Sequence, residues 1–126
     1  MKYELKLEKE FMCPVEYALN TFGGKWKIRI IGLLNSYNIM RYNAIKKELG
    51  NITHPVLAAT LKELKEDEII KRKQYDEVPP RVEYSLTEKG KAAIPILQEL
   101  CLWSKKNSDL DFMKLTPCIT CDIHDD

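Results

Sequence analysis

The spacing of apolar positions along the chain marks out a series of short elements. Pro14 is tolerated in a first helical turn and opens a helix predicted to run to about Phe22, where Gly23-Gly24 ends it. From Lys25 to Leu34 the residues Trp26, Ile30, Leu33 and Leu34 recur at helical spacing, with Lys25, Lys27 and Arg29 interleaved. Arg41 to Leu49 repeats the pattern in Tyr42, Ile45 and Leu49, and Gly50 stands where a left-handed C-cap is expected. Thr53 is a good N-cap soon after, Pro55 falls in the next first turn, and Leu57, Leu61 and Leu64 form an inward stripe to about Glu66. Two short helices joined by a tight glycine-containing turn have the outline of a helix-turn-helix.

The period then changes. Ile69 to Tyr75 reads as a strand, and Arg81 to Leu86 alternates strictly, with Val82, Tyr84 and Leu86 on one face. Between them, Asp76-Glu77-Val78-Pro79-Pro80 cannot continue a ladder and predicts a hairpin loop. Thr87 caps a final helix from Glu88 to about Asn107, in which Pro95 predicts a kink near Lys91 to Ile94. A helix pair followed by a β-hairpin makes the expected fold α+β, a winged helix-turn-helix with additional N- and C-terminal helices. Those terminal helices carry more apolar surface than a three-helix core needs. Dimerisation through Phe11, Val15, Leu97, Leu100, Cys101 and Trp103 is therefore expected.

At 126 residues the chain fits one domain, and 44% apolar with 31% charged residues excludes disorder. No apolar run is long enough to span a membrane, and Met1 to Phe11 lacks the core of a signal peptide, so a cytoplasmic location is expected. Cys13, Cys101, Cys118 and Cys121 are too dispersed for a disulfide scaffold, which predicts reduced thiols. The net charge of +1 hides an uneven distribution: residues 1–106 sum to +5 and residues 107–126 to −4. The picture is a mildly basic domain over 1–107 and an acidic tail over 108–126, which leaves room for a DNA-binding face. No Ser-His-Asp pattern, phosphate-binding glycine loop or cofactor fingerprint is present, so neither an enzyme nor a cofactor is expected. Cys118 and Cys121 with His124 offer three metal ligands at most, and as a dithiol they lack a thioredoxin-like strand-helix context.

The runs Cys13-Pro-Val-Glu-Tyr, Gly23-Gly-Lys-Trp-Lys, Arg41-Tyr-Asn, Leu61-Lys-Glu-Leu and Val78-Pro-Pro-Arg-Val-Glu-Tyr-Ser-Leu-Thr-Glu-Lys-Gly resemble the HxlR family of winged-helix transcriptional regulators. The likeness covers roughly residues 11–104. It implies dimerising terminal helices, binding to palindromic operators, and in several members sensing of oxidants or electrophiles through a cysteine at the position of Cys13. The chain departs from the family pattern in its recognition helix, where Thr53, His54, Pro55, Val56, Ala58 and Ala59 replace a more polar set. Glu68 also stands where a glycine is common before the wing, which predicts a strained or reshaped turn.

The residues expected to meet double-stranded DNA are Lys25 and Arg41 on phosphates, Thr53 and His54 at the groove edge, and Lys71, Lys73 and Arg81 along the wing. Each has a plainer alternative. The lysines serve equally well as solvated cations, His54 as a solvent-facing or capping residue, and Arg81 as the partner of an acidic neighbour. Lys27 is a weaker phosphate candidate. Trp26, Tyr42 and Leu57 read as core or near-core. Cys13 falls at the start of a helix, where peptide N–H groups favour a thiolate, so it is the redox-sensing candidate. The alternative is a small buried hydrophobe. Two functions follow: a homodimeric DNA-binding regulator, or a winged-helix protein-interaction module whose DNA contacts have weakened.

Overall fold

A helix with a broad apolar face buries that face, and Lys27–Tyr37 is such a helix: Ile30, Ile31 and Leu33 are fully excluded from solvent, while Arg29, Ser36 and Tyr37 stay exposed. The computed structural model, which describes residues 11–110, arranges the rest of the fold around it. In chain order the elements are α1 (Pro14–Phe22), α2 (Lys27–Tyr37), α3 (Tyr42–Leu49), α4 (His54–Glu66), β1 (Ile70–Tyr75), β2 (Arg81–Leu86) and α5 (Glu88–Asn107). Ile45 of α3, Leu57, Leu61 and Leu64 of α4, Ile70 and Leu86 of the strands, and Ala93, Ile94 and Leu97 of α5 join the α2 residues in one core. The architecture of these residues is an α+β winged helix-turn-helix with five helices and a two-stranded wing.

The caps fall where side-chain chemistry puts them. Thr53 Oγ1 accepts from the Val56 N–H at 3.4 Å, and Thr87 Oγ1 accepts from the Gly90 N–H at 3.0 Å. Gly50 closes α3 at φ 78°, and its N–H bonds to the Lys46 carbonyl. The predicted Lys25–Leu34 helix starts later, at Lys27, because Gly24 at φ 100° and the turn through Trp26 still belong to the connection. It also runs on to Tyr37. The final helix continues through Pro95 to Asn107.

β1 and β2 pair antiparallel, from Ile70 opposite Leu86 to Tyr75 opposite Arg81, and Met40 bridges to Tyr84 on the outer edge of β2. Directly opposed residues share a face. Arg72 and Tyr84, and Gln74 and Val82, therefore lie on the side of the core pair Ile70 and Leu86. Lys71, Ser85, Lys73, Glu83, Tyr75 and Arg81 lie on the other.

Glu68, just before the wing, sits at φ 62° in the left-handed region, the conformation that glycine adopts without penalty. Glu68→Gly is expected to raise stability by about 1 kcal/mol, because the strain of an L-residue there outweighs the added freedom of the unfolded chain. Urea denaturation would show the midpoint rising with its slope unchanged.

Among the described residues, no helix is long and apolar enough to cross a membrane. Leu97, expected at a dimer surface, is instead 6% exposed and faces the protomer's own core. The reason is its place one turn beyond Ala93 and Ile94 on the inward stripe of α5.

Candidate nucleic-acid interface

The first turn of α4 stands in solvent. Thr53, His54, Pro55, Val56, Ala58 and Ala59 are all exposed, while Leu57 between them is fully buried. This follows from helical period: Leu57, Leu61 and Leu64 claim the inner stripe, and the positions between them turn outward. The Thr60 hydroxyl donates to the Val56 carbonyl at 2.7 Å, so it is left to meet a ligand as an acceptor only.

His54 is held by a neighbour whose spacing in the sequence marks it only as core. The Tyr42 hydroxyl lies 2.9 Å from His54 Nδ1 and 3.3 Å from the His54 carbonyl, and the two rings stack within 8° of parallel. Whichever partner carries the proton between Oη and Nδ1, that ring nitrogen is committed to Tyr42, and Nε2 is left for an outside partner. Tyr42 opens α3 and His54 opens α4, so the contact crosses the helix-turn-helix itself. Nothing in the sequence spacing signals a pair twelve residues apart.

The expected cations divide into two groups. Lys25 and Arg41 are exposed at the starts of α2 and α3, and Lys25 Nζ lies 4.7 Å from the centre of the Trp26 ring. Arg29 lies 5.2 Å from the same ring, which is half-buried against the core. Lys71 and Lys73 are exposed on the wing. Arg81 is engaged: its guanidinium stacks 3.8 Å from the centre of Tyr75 and pairs with Glu77 at 3.0 Å and Glu83 at 3.5 Å. The wing thus uses Arg81 to brace its own tip, the alternative that the acidic neighbours suggest.

Lys27 is removed from the docking face altogether. It is 5% exposed, pairs with Glu63 of α4 at 2.9 Å and donates to the Thr21 carbonyl at 3.4 Å. A cation interleaved in an amphipathic helix usually faces solvent. This one points across to α4, where the Glu63 carboxylate meets it, with the Thr21 carbonyl of α1 beside it.

Cys13 occupies the N-cap position of α1 as an exposed free thiol, and Glu16 N–H bonds to its carbonyl at 3.0 Å. The reading of it as a buried hydrophobe is thereby overturned. Cys101 is half-buried on α5 and disulfide-bonded, which corrects the expectation of reduced thiols for this residue. Cysteine pairing depends on where the fold returns the chain, and sequence spacing does not carry that. Cys118, Cys121 and His124 lie outside the described residues. Among the described residues, no cluster of His, Cys, Asp and Glu is arranged to hold a metal.

Apolar side chains remain uncovered on both terminal helices. Val15 and Leu19 of α1, with Met12 just before it, form one stripe, and Ile96, Leu100 and Trp103 another on α5, with Val15 62%, Leu100 54% and Trp103 64% exposed. Phe11 is half-buried, with its ring edge-on to Tyr17 at 5.8 Å.

The profile of a family described as HxlR-like helix-turn-helix matches residues 21–112. An uncharacterised HTH-type transcriptional regulator of Halalkalibacterium halodurans is 44% identical over 108 residues, which span 86% of this chain and 96% of the relative. Among solved structures, the redox regulator HypR in its oxidised form is 39% identical at a TM-score of 0.69, covering 78% of this chain and 100% of HypR. The reduced form of the transcriptional regulator YodB from Bacillus subtilis is 35% identical at a TM-score of 0.71, covering 79% of this chain and 97% of YodB.

Proposed function

The chain belongs to the HxlR-like helix-turn-helix family of transcriptional regulators, and from that premise we propose that it binds double-stranded DNA sequence-specifically as a homodimer. The observation that carries the reading is the solvent-facing first turn of α4, where Tyr42 fixes His54 and leaves one ring nitrogen open. Thr53 and His54 enter the major groove, and Lys25 and Arg41, at the starts of neighbouring helices, bind phosphates on either side. Lys71 and Lys73 extend the cationic surface along the wing, and Arg81 holds the wing's shape. The exposed stripes of α1 and α5 bring two protomers together and set two α4 helices about 34–36 Å apart, the spacing of successive major grooves.

Selection of duplexes from the source genome, followed by footprinting and sedimentation of the complex, tests this. A dimer protecting a palindrome with half-sites one helical turn apart is the expected result. A dimer with no salt-dependent affinity for any duplex would instead make the fold a protein-interaction module.

His54→Ala is expected to cost about tenfold in discrimination at one base-pair position while leaving the salt dependence of binding unchanged. Tyr42→Phe keeps the stacked ring but frees Nδ1, so a smaller loss at the same position should follow. Comparison of the selected sequences for the three proteins reads both effects.

Cys13 supplies the regulation. It is free, exposed and adjacent to the apolar stripe of α1, so an adduct there alters the surface through which the protomers meet. The likeness to HypR, a redox regulator, supports the same assignment. A mild oxidant or a quinone should change operator affinity in the native protein and leave Cys13→Ser unaffected; equal responses would reassign the sensing.

A further inference from the structure

A cavity of about 800 Å³ opens between the end of α2, the wing and the first half of α5. This lies in the size range of small-molecule sites. No motif in the sequence points to it, and the DNA-docking surface does not use it as a cavity. Its apolar floor comes from Leu34, Ile39, Leu86, Ile94 and Pro95. Its wall on the wing side comes from strand register, since Lys71 opposite Ser85 and Lys73 opposite Glu83 point their side chains to one face. Lys91 reaches it from α5, and the amides of Asn35 and Asn38 from the α2 end.

The charges around this space are unbalanced. Among the described residues that line it, Glu83 is the one carboxylate, and it is paired with Arg81 at 3.5 Å. Lys73 lies over the Tyr75 ring at 4.9 Å, and Lys91 has only a solvent-exposed contact with Glu88 at 3.6 Å. Lys71 has no ion-pair partner among the described residues. An apolar floor beneath a cationic rim selects a molecule with the opposite arrangement.

We propose that this cavity binds a small amphipathic organic anion, a carboxylic acid with an apolar body. The carboxylate meets Lys71, Lys73 and Lys91, and the body covers Ile39, Leu86 and Ile94. The walls are the wing on one side and the helix carrying an uncovered apolar stripe on the other. A ligand that binds one relative placement of these two better than another shifts the protein toward that placement.

Titration of the ¹⁵N-labelled full chain with octanoate, without DNA and at constant ionic strength, tests the site apart from the proposed function. Saturable shifts at Asn35, Asn38, Lys71, Lys73, Ser85 and Lys91 are expected, with the neutral octanamide binding about tenfold more weakly. The exposed double variant Lys71→Gln/Lys73→Gln should lose about tenfold in octanoate affinity and none for octanamide. Equal affinity for acid and amide, shifts confined to the α1 and α5 stripes, or no saturation in the millimolar range would each overturn the proposal. Loss of DNA binding in the same variant would bear on the docking reading alone.

Discussion

Alanine at both Lys25 and Arg41 should weaken operator binding about 100-fold or more at physiological salt and flatten its salt dependence. The reasoning is one of counterion release. Each phosphate neutralised by a cation contributes about 0.9 to the slope of log affinity against log salt. Two residues in each of two protomers make four contacts, so the slope should fall by about 3 to 4. Both side chains are exposed, and neither lies in the core, so the variant should fold and dimerise as before. Lys25 does lie over Trp26, but Arg29 approaches the same ring and remains to cover it. Fluorescence anisotropy across a salt series on the selected operator supplies the measurement. An unchanged slope would move the docking face elsewhere on the molecule.

The second large effect concerns folding. Gly90→Ala should destabilise the protein by about 2–4 kcal/mol, although alanine is favoured over glycine in a helix by about 1 kcal/mol. A Cβ at this position would lie 2.3 Å from the Ile69 carbonyl oxygen and 3.2 Å from Leu86 Cδ2. The flexible leucine can yield, but the carbonyl cannot do so cheaply. It accepts from the Thr87 N–H at 3.0 Å and from the Thr87 hydroxyl at 3.0 Å, the bonds that tie the start of α5 to the start of β1. Retreat from the new methyl sacrifices those bonds and disturbs the cap that Thr87 provides. Chemical denaturation decides the sign: a more stable Gly90→Ala protein would mean that α5 does not approach β1 so closely.

Elements set by local chemistry are legible in the residues themselves. Thr53 and Thr87 cap their helices, Gly50 ends one with positive φ, and the alternation from Arg81 to Leu86 becomes β2, because each depends on neighbours within a few residues. Contacts between distant segments are not legible in this way. Lys27 reads as a surface cation until α4 places Glu63 against it. Tyr42 reads as core until the turn brings it to His54. Gly90 gives no hint of its role, since a glycine early in a helix looks like a minor defect unless Ile69 is known to lie behind it. Leu97 and Leu100 both look apolar in sequence, and only the direction of the α5 stripe separates the residue that faces inward from the one that does not. Within the candidate site, residue types are readable and their engagement is not. Arg81 and Lys71 look alike on paper, yet one is held by a ring and two carboxylates while the other is exposed.

The ammonium of Lys27 has a mechanical meaning. It joins the last turn of α1, through the Thr21 carbonyl, to the last turns of α4, through Glu63. Helix α1 is only nine residues long and Thr21 is its one buried residue, so alone it would fray. Anchored at this end, and met near its middle by Lys89 of α5 at the Tyr17 hydroxyl, it has the form of a lever whose fulcrum is Lys27 and whose outer arm carries Cys13. A push on that arm should reach α4 through the fulcrum, and amide hydrogen exchange should show the last turn of α1 opening in step with α4 and its first turn opening more readily.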